Sequence, residues 1–514
     1  MKHAPIHNIS SPSKGRTLWP ALATLLTVAF IACAFGFSKA AKHPQEVHTA
    51  HSQEAAQPTA PVFQHLTKCD IERNYAFIHY DSNQLWIGSD SSLMNHAFAK
   101  WIKVASTGQD NFNIMHIGSS HVQGGTFPHR IRQNILRNHF DRIADRGMLF
   151  PYSAASNCNN PHDYAVHCPQ RMSLCRNVYK EPTKQLGLCG IAVTAADTTT
   201  TIDIALKDEG IDYATNQIIV LGYRSDSLHE ASSSSKAAHP GDELVPLINY
   251  QGSNVAPSYI DLPSRRYIFN LNHNVDNFRI ILPCCKGQMF TLTGVYLGNR
   301  GRGFSYHSIG VNGASLDDYN TKCPYFRCDL RLVKPDLVIM GIGINDAAGP
   351  NFDSATFHRR YLTLIDSIRY VNHNCAFIFI TNNDSYKRVS RRRSTANKNV
   401  LQVQQVMYAL AQETKGAVWD QFKIMGGLQS MTRWRDNKLA QRDRVHFTAQ
   451  GYALMGDLLS NALFDAVNYY NDQRLAQQEA SAHGRRQSAA VTVKQKNIVT
   501  AQDNNDSNKY YLSY

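Results

Sequence analysis

Apolar positions along this chain recur with two different periods. Over residues 111–150 and 304–468, short unbroken apolar runs alternate with stretches of helical spacing. Ile114, Met115 and Ile117 form a run of strand length that stops at Gly118-Ser119-Ser120-His121. The run Pro335-Asp336-Leu337-Val338-Ile339-Met340 stops in the same way at Gly341-Ile342-Gly343-Ile344-Asn345-Asp346, and Ala376–Ile380 stops at Thr381-Asn382-Asn383. Ala417–Asp420 is a last short strand. Between these runs the spacing predicts helices over 92–104, 127–140, 357–371 and 399–414, with Thr448 as N-cap of a helix reaching about Val467. Strand, helix, strand, helix implies a parallel sheet covered on both faces.

From 188 to 303 the period shortens. Ile191–Val193, Thr201–Leu206, Gln217–Leu221, Arg266–Leu271, Phe278–Leu282 and Phe290–Leu297 are rich in Thr, Ile, Val and aromatics, with Gly, Asn, Asp and Ser between them. A succession of such strands predicts an inserted β-sandwich or jelly roll, with Ser232–Lys236 as an exposed loop. Residues 147–187, with Pro, Asn and Cys, are expected to be irregular loop. The expected organisation is therefore an export segment over 1–37, a linker over 38–66, an α/β domain over 67–187 and 304–470 that carries the insertion at 188–303, and a disordered polar tail over 471–514.

Composition adds a direction. Of 514 residues, 43% are hydrophobic and 18% charged, enough for a sizeable core, and the net charge of +13 favours anionic partners: nucleic acid, anionic lipid or a cell-wall polymer. The amino terminus narrows this. Lys2, Lys14 and Arg16 precede an uncharged stretch from Thr17 to Phe37, long enough to span a bilayer with the amino end cytoplasmic and the remainder exported. Ser38-Lys39-Ala40 could serve as a cleavage site, so an uncleaved inner-membrane anchor and a cleaved signal peptide both stay open. Either places the domain in the periplasm or cell envelope, away from nucleic acid. Eleven cysteines, ten of them beyond the apolar stretch, permit disulfides in that compartment. Cys284 and Cys285 with Cys323 and Cys328 could conceivably hold zinc, although adjacent ligands are not the usual spacing.

The chemistry is carried by separated residues. A serine at the carboxyl end of a buried strand can be exposed while its backbone stays fixed, which makes Ser120 a candidate nucleophile. It needs a base; His446 is the candidate, with Asp443 three residues earlier to accept from its other ring nitrogen. Oxyanion donors are available in the backbone N–H groups of Ser120 and Gly313 and the side chain of Asn345.

In order, the chain reads Gly118-Ser119-Ser120, then Gly310-Val311-Asn312-Gly313-Ala314, then Gly343-Ile344-Asn345-Asp346, then Asp443-Arg444-Val445-His446. This resembles the SGNH (GDSL-type) hydrolase superfamily, and the resemblance puts Ser120, Gly313, Asn345 and His446 at its four named positions, with Asp443 as partner of His446. It implies a three-layer α/β/α fold and an ester hydrolase working through an acyl-enzyme with no metal or organic cofactor. The insertion between the Ser and Gly motifs is similar to that of the bacterial peptidoglycan O-acetylesterases, where a carbohydrate-binding-type β-sandwich occupies this point. The stretches Arg146–Tyr152, Asp384–Arg388, Val418–Asp420 and Met425–Gly427 resemble the same branch. That branch implies an O-acetylated envelope glycan as substrate. An acyltransferase, an esterase on another polysaccharide or lipid, and a glycan-binding protein with weakened catalysis are the alternatives. One departure bears on them: the family usually has Gly-Asp-Ser, and here Ser119 stands where the Asp would be. The basic run Lys387–Arg393 is expected to be a solvated loop, with contact to acidic glycan as the alternative.

Overall fold

The computed structural model describes residues 63–155, 160–195, 199–207, 210–224, 245–283, 289–390 and 393–507. The apolar stretch Thr17–Phe37, the loop Ser232–Lys236 and the cysteines Cys33, Cys158, Cys284 and Cys285 lie outside these residues. No helix among the described residues is long and apolar enough to cross a membrane.

A six-stranded sheet organises the α/β part. Its order is Leu85–Ile87, Ala417–Trp419, Ala376–Ile380, Leu337–Gly341, Asn111–Gly118 and Gly303–Gly310. All neighbours are parallel except Leu85–Ile87, which runs antiparallel to Ala417–Trp419 at the edge. Strand side chains alternate between faces, and here both faces are dry. Ile114, Ile339, Ile378 and Trp419 join one core with Met94 and Trp101 of helix Ser92–Thr107, Ile131 and Ile135 of Thr126–Asn138, and Leu458 and Leu463 of Ala449–Ser507. Met115, Met340, Phe379 and Val418 join the other with Leu364 and Ile368 of helix Ser354–Arg369 and Met407 and Leu410 of Asn399–Thr414. The unbroken apolar runs are what a parallel sheet buried on both sides requires. The three-layer α/β/α fold expected from the sequence is present.

The second core extends into two further sheets. Seven strands form one: Tyr259–Asp261, Arg266–Asn270, Gln217–Arg224, Phe290–Gly298, Ile191–Thr194 and Ser173–Arg176 in order, with Gly147–Leu149 also pairing with Phe290–Gly298. Five antiparallel strands form the other: Ser253–Val255, Leu247–Tyr250, Asn277–Leu282, Thr200–Leu206 and Tyr164–His167. Ile202, Ile248 and Ile280 of the smaller sheet share a hydrophobic cluster with Val193, Val220 and Leu292 of the larger, so the two form one β-rich unit.

Two expectations are corrected. Residues 147–187 are not simply loop: Gly147–Leu149, Tyr164–His167 and Ser173–Arg176 are strands of the β-rich sheets, so this part draws on chain before residue 188. These strands are three or four residues long, too short to show a period, and their pairing is supplied by partners far along the chain. The final helix does not stop at Val467, nor is the tail irregular as far as it is described; helix continues to Ser507. Its packing ends near Asn471, and most described side chains beyond stand in solvent, where Ala, Gln, Lys and Arg support helix by propensity alone. Among the described residues there is no disulfide: Cys69, Cys168, Cys175, Cys189, Cys323, Cys328 and Cys375 are free thiols.

Candidate active site

Three neighbouring parallel strands end in register. Gly118 is paired with Gly310 on one side and Gly341 on the other. The segments leaving these positions are Ser119-Ser120, Val311–Ala314 and Ile342–Asn345. The sheet thus delivers to one edge three segments that are far apart in sequence.

Ser119 caps a single helical turn, Ser120–Gln123, its carbonyl accepting from Val122 N–H at 3.1 Å and Gln123 N–H at 2.9 Å. The turn folds back over the strand ends so closely that a Cβ on Gly310 would lie 2.5 Å from Gln123 N and 2.9 Å from Ser119 O. Ser119 is wholly buried and its hydroxyl has no partner among the described residues, whereas Ser120 is partly exposed. The Ser120 Oγ lies 2.9 Å from His446 Nε2, and His446 Nδ1 lies 2.7 Å from Asp443 Oδ2. Serine, imidazole and carboxylate are joined in one line.

The loop holding His446 is built for this. Phe447 bridges Ala440, and Gln441 N–H donates to His446 O at 2.8 Å. Asp443 Oδ1 accepts from the N–H groups of Val445 at 2.9 Å and His446 at 3.1 Å. Burial pushes the Asp443 carboxyl up, but hydrogen bonds from the His446 ring and these two amides outweigh it and hold the group below the usual carboxylate range. It therefore stays ionised, with one oxygen for the backbone and one for the ring. Asn383 Nδ2 donates to Val445 O at 3.0 Å, and Tyr386 N–H to Arg444 O at 3.1 Å. Beyond the loop, Thr448 Oγ1 accepts from Gly451 N–H at 3.2 Å, the N-cap expected from the sequence. Arg130 and Asn134, on the helix after Ser120, both reach Asp457 of the final helix at 2.6 and 2.9 Å, which docks the His446 segment against the Ser120 segment.

Gly313 and Asn345 are brought to the same edge. Gly313 has φ +85°, a left-handed conformation suited to glycine. The preceding Asn312 N–H donates to Gln123 Oε1 at 2.6 Å, tying this turn to the helix that begins at Ser120. Asn345 Nδ2 donates to Ala314 O at 2.9 Å. A carboxamide carries two N–H donors, so one remains beyond that bond. Asp346, next in the chain, accepts from Leu316 N–H, and burial lifts its carboxyl to about 6.

Behind the serine lies a cavity of about 20 Å³ lined by His116, His121, Asn382, Asn383, Gln421 and Phe447 among others, room for about one water molecule. His121 bonds Tyr452 OH through Nδ1 at 2.6 Å, and its ring lies 5.3 Å from that of His446. Burial, and then the neighbouring His446, depress His121 to about 3; burial and Arg132 do the same to His116. Both are neutral near pH 7 and place no positive charge beside His446. Sequence reasoning missed His121, Gln123, Asn383 and Tyr452. His121, directly after Ser120, and Gln123, one helical turn on, had a local signal; Asn383 and Tyr452 are brought in by tertiary packing.

The basic run after Ser385, expected as a solvated loop, is paired into a hairpin, Tyr386–Ser390 with Arg393–Ala396, with Val389, Ser390 and Arg393 exposed; Arg391 and Arg392 lie outside the described residues. The hairpin is fastened to the His446 loop through Tyr386, whose ring lies 3.7 Å from the Arg444 guanidinium. No cluster of metal-ligating side chains occurs among the described residues.

Residues 291–454 match the GDSL-like lipase/acylhydrolase family; the match includes Gly313, Asn345, Asp443 and His446 and leaves Ser120 outside it. Among solved structures, a peptidoglycan O-acetylesterase superposes with TM-score 0.59 at 20% identity, covering 75% of this chain and 99% of that one. That likeness shows the shared fold. An acetyl xylan esterase (18% identity, 31% and 81% covered, TM-score 0.25) and a salicylyl-acyltransferase from a tetracycline biosynthetic pathway (10%, 58% and 96%, TM-score 0.24) are also similar. No curated protein matches the sequence.

Proposed function

From the premise that the chain carries an ester-hydrolase domain of the GDSL-like lipase/acylhydrolase family, we propose that it is an exported serine esterase that removes O-acetyl groups from an envelope glycan, peptidoglycan foremost. The observation that carries this reading is the unbroken line from Asp443 through His446 to Ser120, at 2.7 and 2.9 Å. Supporting it are the fold shared with a peptidoglycan O-acetylesterase, the charge of +13 and the basic, apolar amino-terminal pattern. Through that segment the chain would be anchored in the inner membrane or released into the periplasm.

The chemistry follows from the groups present. His446 takes the Ser120 proton as Oγ attacks the acetyl carbonyl, and Asp443 fixes the ring tautomer and stabilises the imidazolium. The N–H groups of Ser120 and Gly313 and the Asn345 amide receive the oxyanion. His446 then protonates the departing sugar oxygen, and water, activated by the same imidazole, releases acetate from Ser120. Asn345→Ala should lower kcat for acetyl-ester hydrolysis by about 100- to 1000-fold, with a smaller change in KM; initial-rate kinetics measure this.

The deciding experiment is acetate release from O-acetylated peptidoglycan, with Ser120→Ala as control. Ser120-dependent release supports the esterase. Acetate passed to a glycan hydroxyl in preference to water would make the protein a transferase. Binding of the polymer without release would make it a glycan-binding protein, the outcome that Ser119 in place of the family's usual Asp keeps in view.

A further inference from the structure

We propose that Arg176, the last residue of strand Ser173–Arg176 in the β-rich part, is a positioning residue that sets the direction of the Gly313 N–H. This rests on the function proposed above, in which that N–H receives the oxyanion.

Residues 311–314 form a four-residue turn closed by Ala314 N–H donating to Val311 O at 3.0 Å. Its third residue, Gly313, has φ +85°, while Asn312 is not among the residues of positive φ. That combination is a type II turn. Types I and II differ chiefly by a half-rotation of the central peptide, here Asn312–Gly313, and a glycine at the third position tolerates both. The Gly313 N–H could therefore face either way. In a planar trans peptide the carbonyl of one residue and the N–H of the next point in opposite directions. Whatever holds the Asn312 carbonyl also aims the Gly313 N–H.

The Arg176 guanidinium holds it, Nη2 donating to Asn312 O. Gln123 Oε1 accepts from the Asn312 N–H on the preceding peptide, the Ala314 N–H on the following one closes the turn onto Val311 O, and Asn345 Nδ2 donates to the Ala314 carbonyl one peptide further on. Arg176 alone among these bonds acts on the central peptide. Gly313 is exposed, and its N–H has no hydrogen-bond partner among the described residues. A cationic donor on the carbonyl also draws electron density through the amide, making the N–H on the far side a stronger donor. The strand that carries Arg176 belongs to the larger β-rich sheet, and Val178 just beyond it stands 3.9 Å from where a Gly313 Cβ would be. The β-rich part thus reaches the reaction centre, with Arg176 bonded to the central peptide of the turn.

The test compares Arg176→Met and Arg176→Lys with the full-length protein in acetyl-ester hydrolysis, together with the amide resonance of Gly313 in glycine-labelled protein. Expected for Arg176→Met is a kcat lower by about 10- to 100-fold, below the loss of a whole donor, with KM within about twofold and an unchanged unfolding midpoint. Arg176→Lys, which still donates, should recover most of it. The Gly313 amide should shift or split in the Met variant. If the wild type releases acetate in a Ser120-dependent way and Arg176→Met keeps its kcat, the positioning role is overturned while the esterase stands. If the wild type releases none, the esterase reading fails, and the Gly313 resonance decides alone: an unchanged signal in Arg176→Met overturns the proposal.

Discussion

Ser120→Ala should lower kcat for release of acetate by about 10⁵- to 10⁶-fold, the loss seen when the nucleophile of a serine–histidine–aspartate set is removed, with the fold intact by circular dichroism. Ser119→Ala should keep kcat within about tenfold. The two hydroxyls are adjacent in sequence and differ in surroundings. Ser120 is partly exposed and its Oγ meets His446 Nε2; Ser119 is wholly buried and its Oγ has no partner among the described residues. Removing an unpartnered buried hydroxyl costs little stability and can raise it. If Ser120→Ala turns over like the wild type, the nucleophile is elsewhere and the mechanism is wrong.

Asp163→Asn should destabilise the protein by about 3–5 kcal/mol, the range for breaking a buried ion pair from one side, read as a lower urea midpoint with unchanged slope. Asp163 Oδ2 receives Arg132 Nη1 at 2.9 Å and Arg146 Nη2 at 2.5 Å, and all three side chains are at most 2% exposed. An amide would leave two buried guanidinium charges side by side with no counter-charge. Burial raises the Asp163 carboxyl, but the charges of Arg146 and Arg132 outweigh it and hold the group well below the ordinary carboxylate range. Because the folded value is depressed, this stabilisation is complete above the unfolded value of about 3.9 and is lost as pH falls from there through the folded one. The wild type should therefore lose stability below about pH 4, and Asp163→Asn should flatten that slope. Arg132 also donates to Tyr306 O and Ser308 Oγ of strand Gly303–Gly310, so loosening should show first at that edge.

That strand marks where sequence reading stopped. Three of the other four parallel strands were legible as unbroken apolar runs, and Asn111–Gly118, which holds the buried His116, was legible from Ile114, Met115 and Ile117 ahead of Gly-x-Ser. Gly303–Gly310 carries Ser305 and His307, both wholly buried, which breaks the run. Their polar groups are answered from far away: Asp145 N–H donates to Ser305 Oγ at 3.1 Å and Met148 N–H to His307 Nδ1 at 3.2 Å. A strand that carries buried polar residues bonded from far along the chain leaves no trace in a hydrophobic pattern. The site residues were legible for the opposite reason. Gly-x-Ser after a strand, Gly-x-Asn-Asp after a strand and Asp-x-x-His before a helix are local signatures, and the parallel register brings the first two to one edge. Of what holds them there, Gln123 lies one helical turn from Ser120, but Asn383 and Arg176 have no such signature, because each acts on backbone belonging to a distant segment.

The pairing of Gly303–Gly310 with Asn111–Gly118 joins positions 192 residues apart, and this has a kinetic consequence. A chain made from its amino end lacks an edge partner for Asn111–Gly118 until the whole β-rich part has been synthesised. Such distant pairing is slow to find, and an unpaired strand with two apolar faces invites association with other chains meanwhile. Refolding from denaturant should accordingly show its slowest phase in recovery of the Ser120 region, after the β-rich sheets have regained their signal.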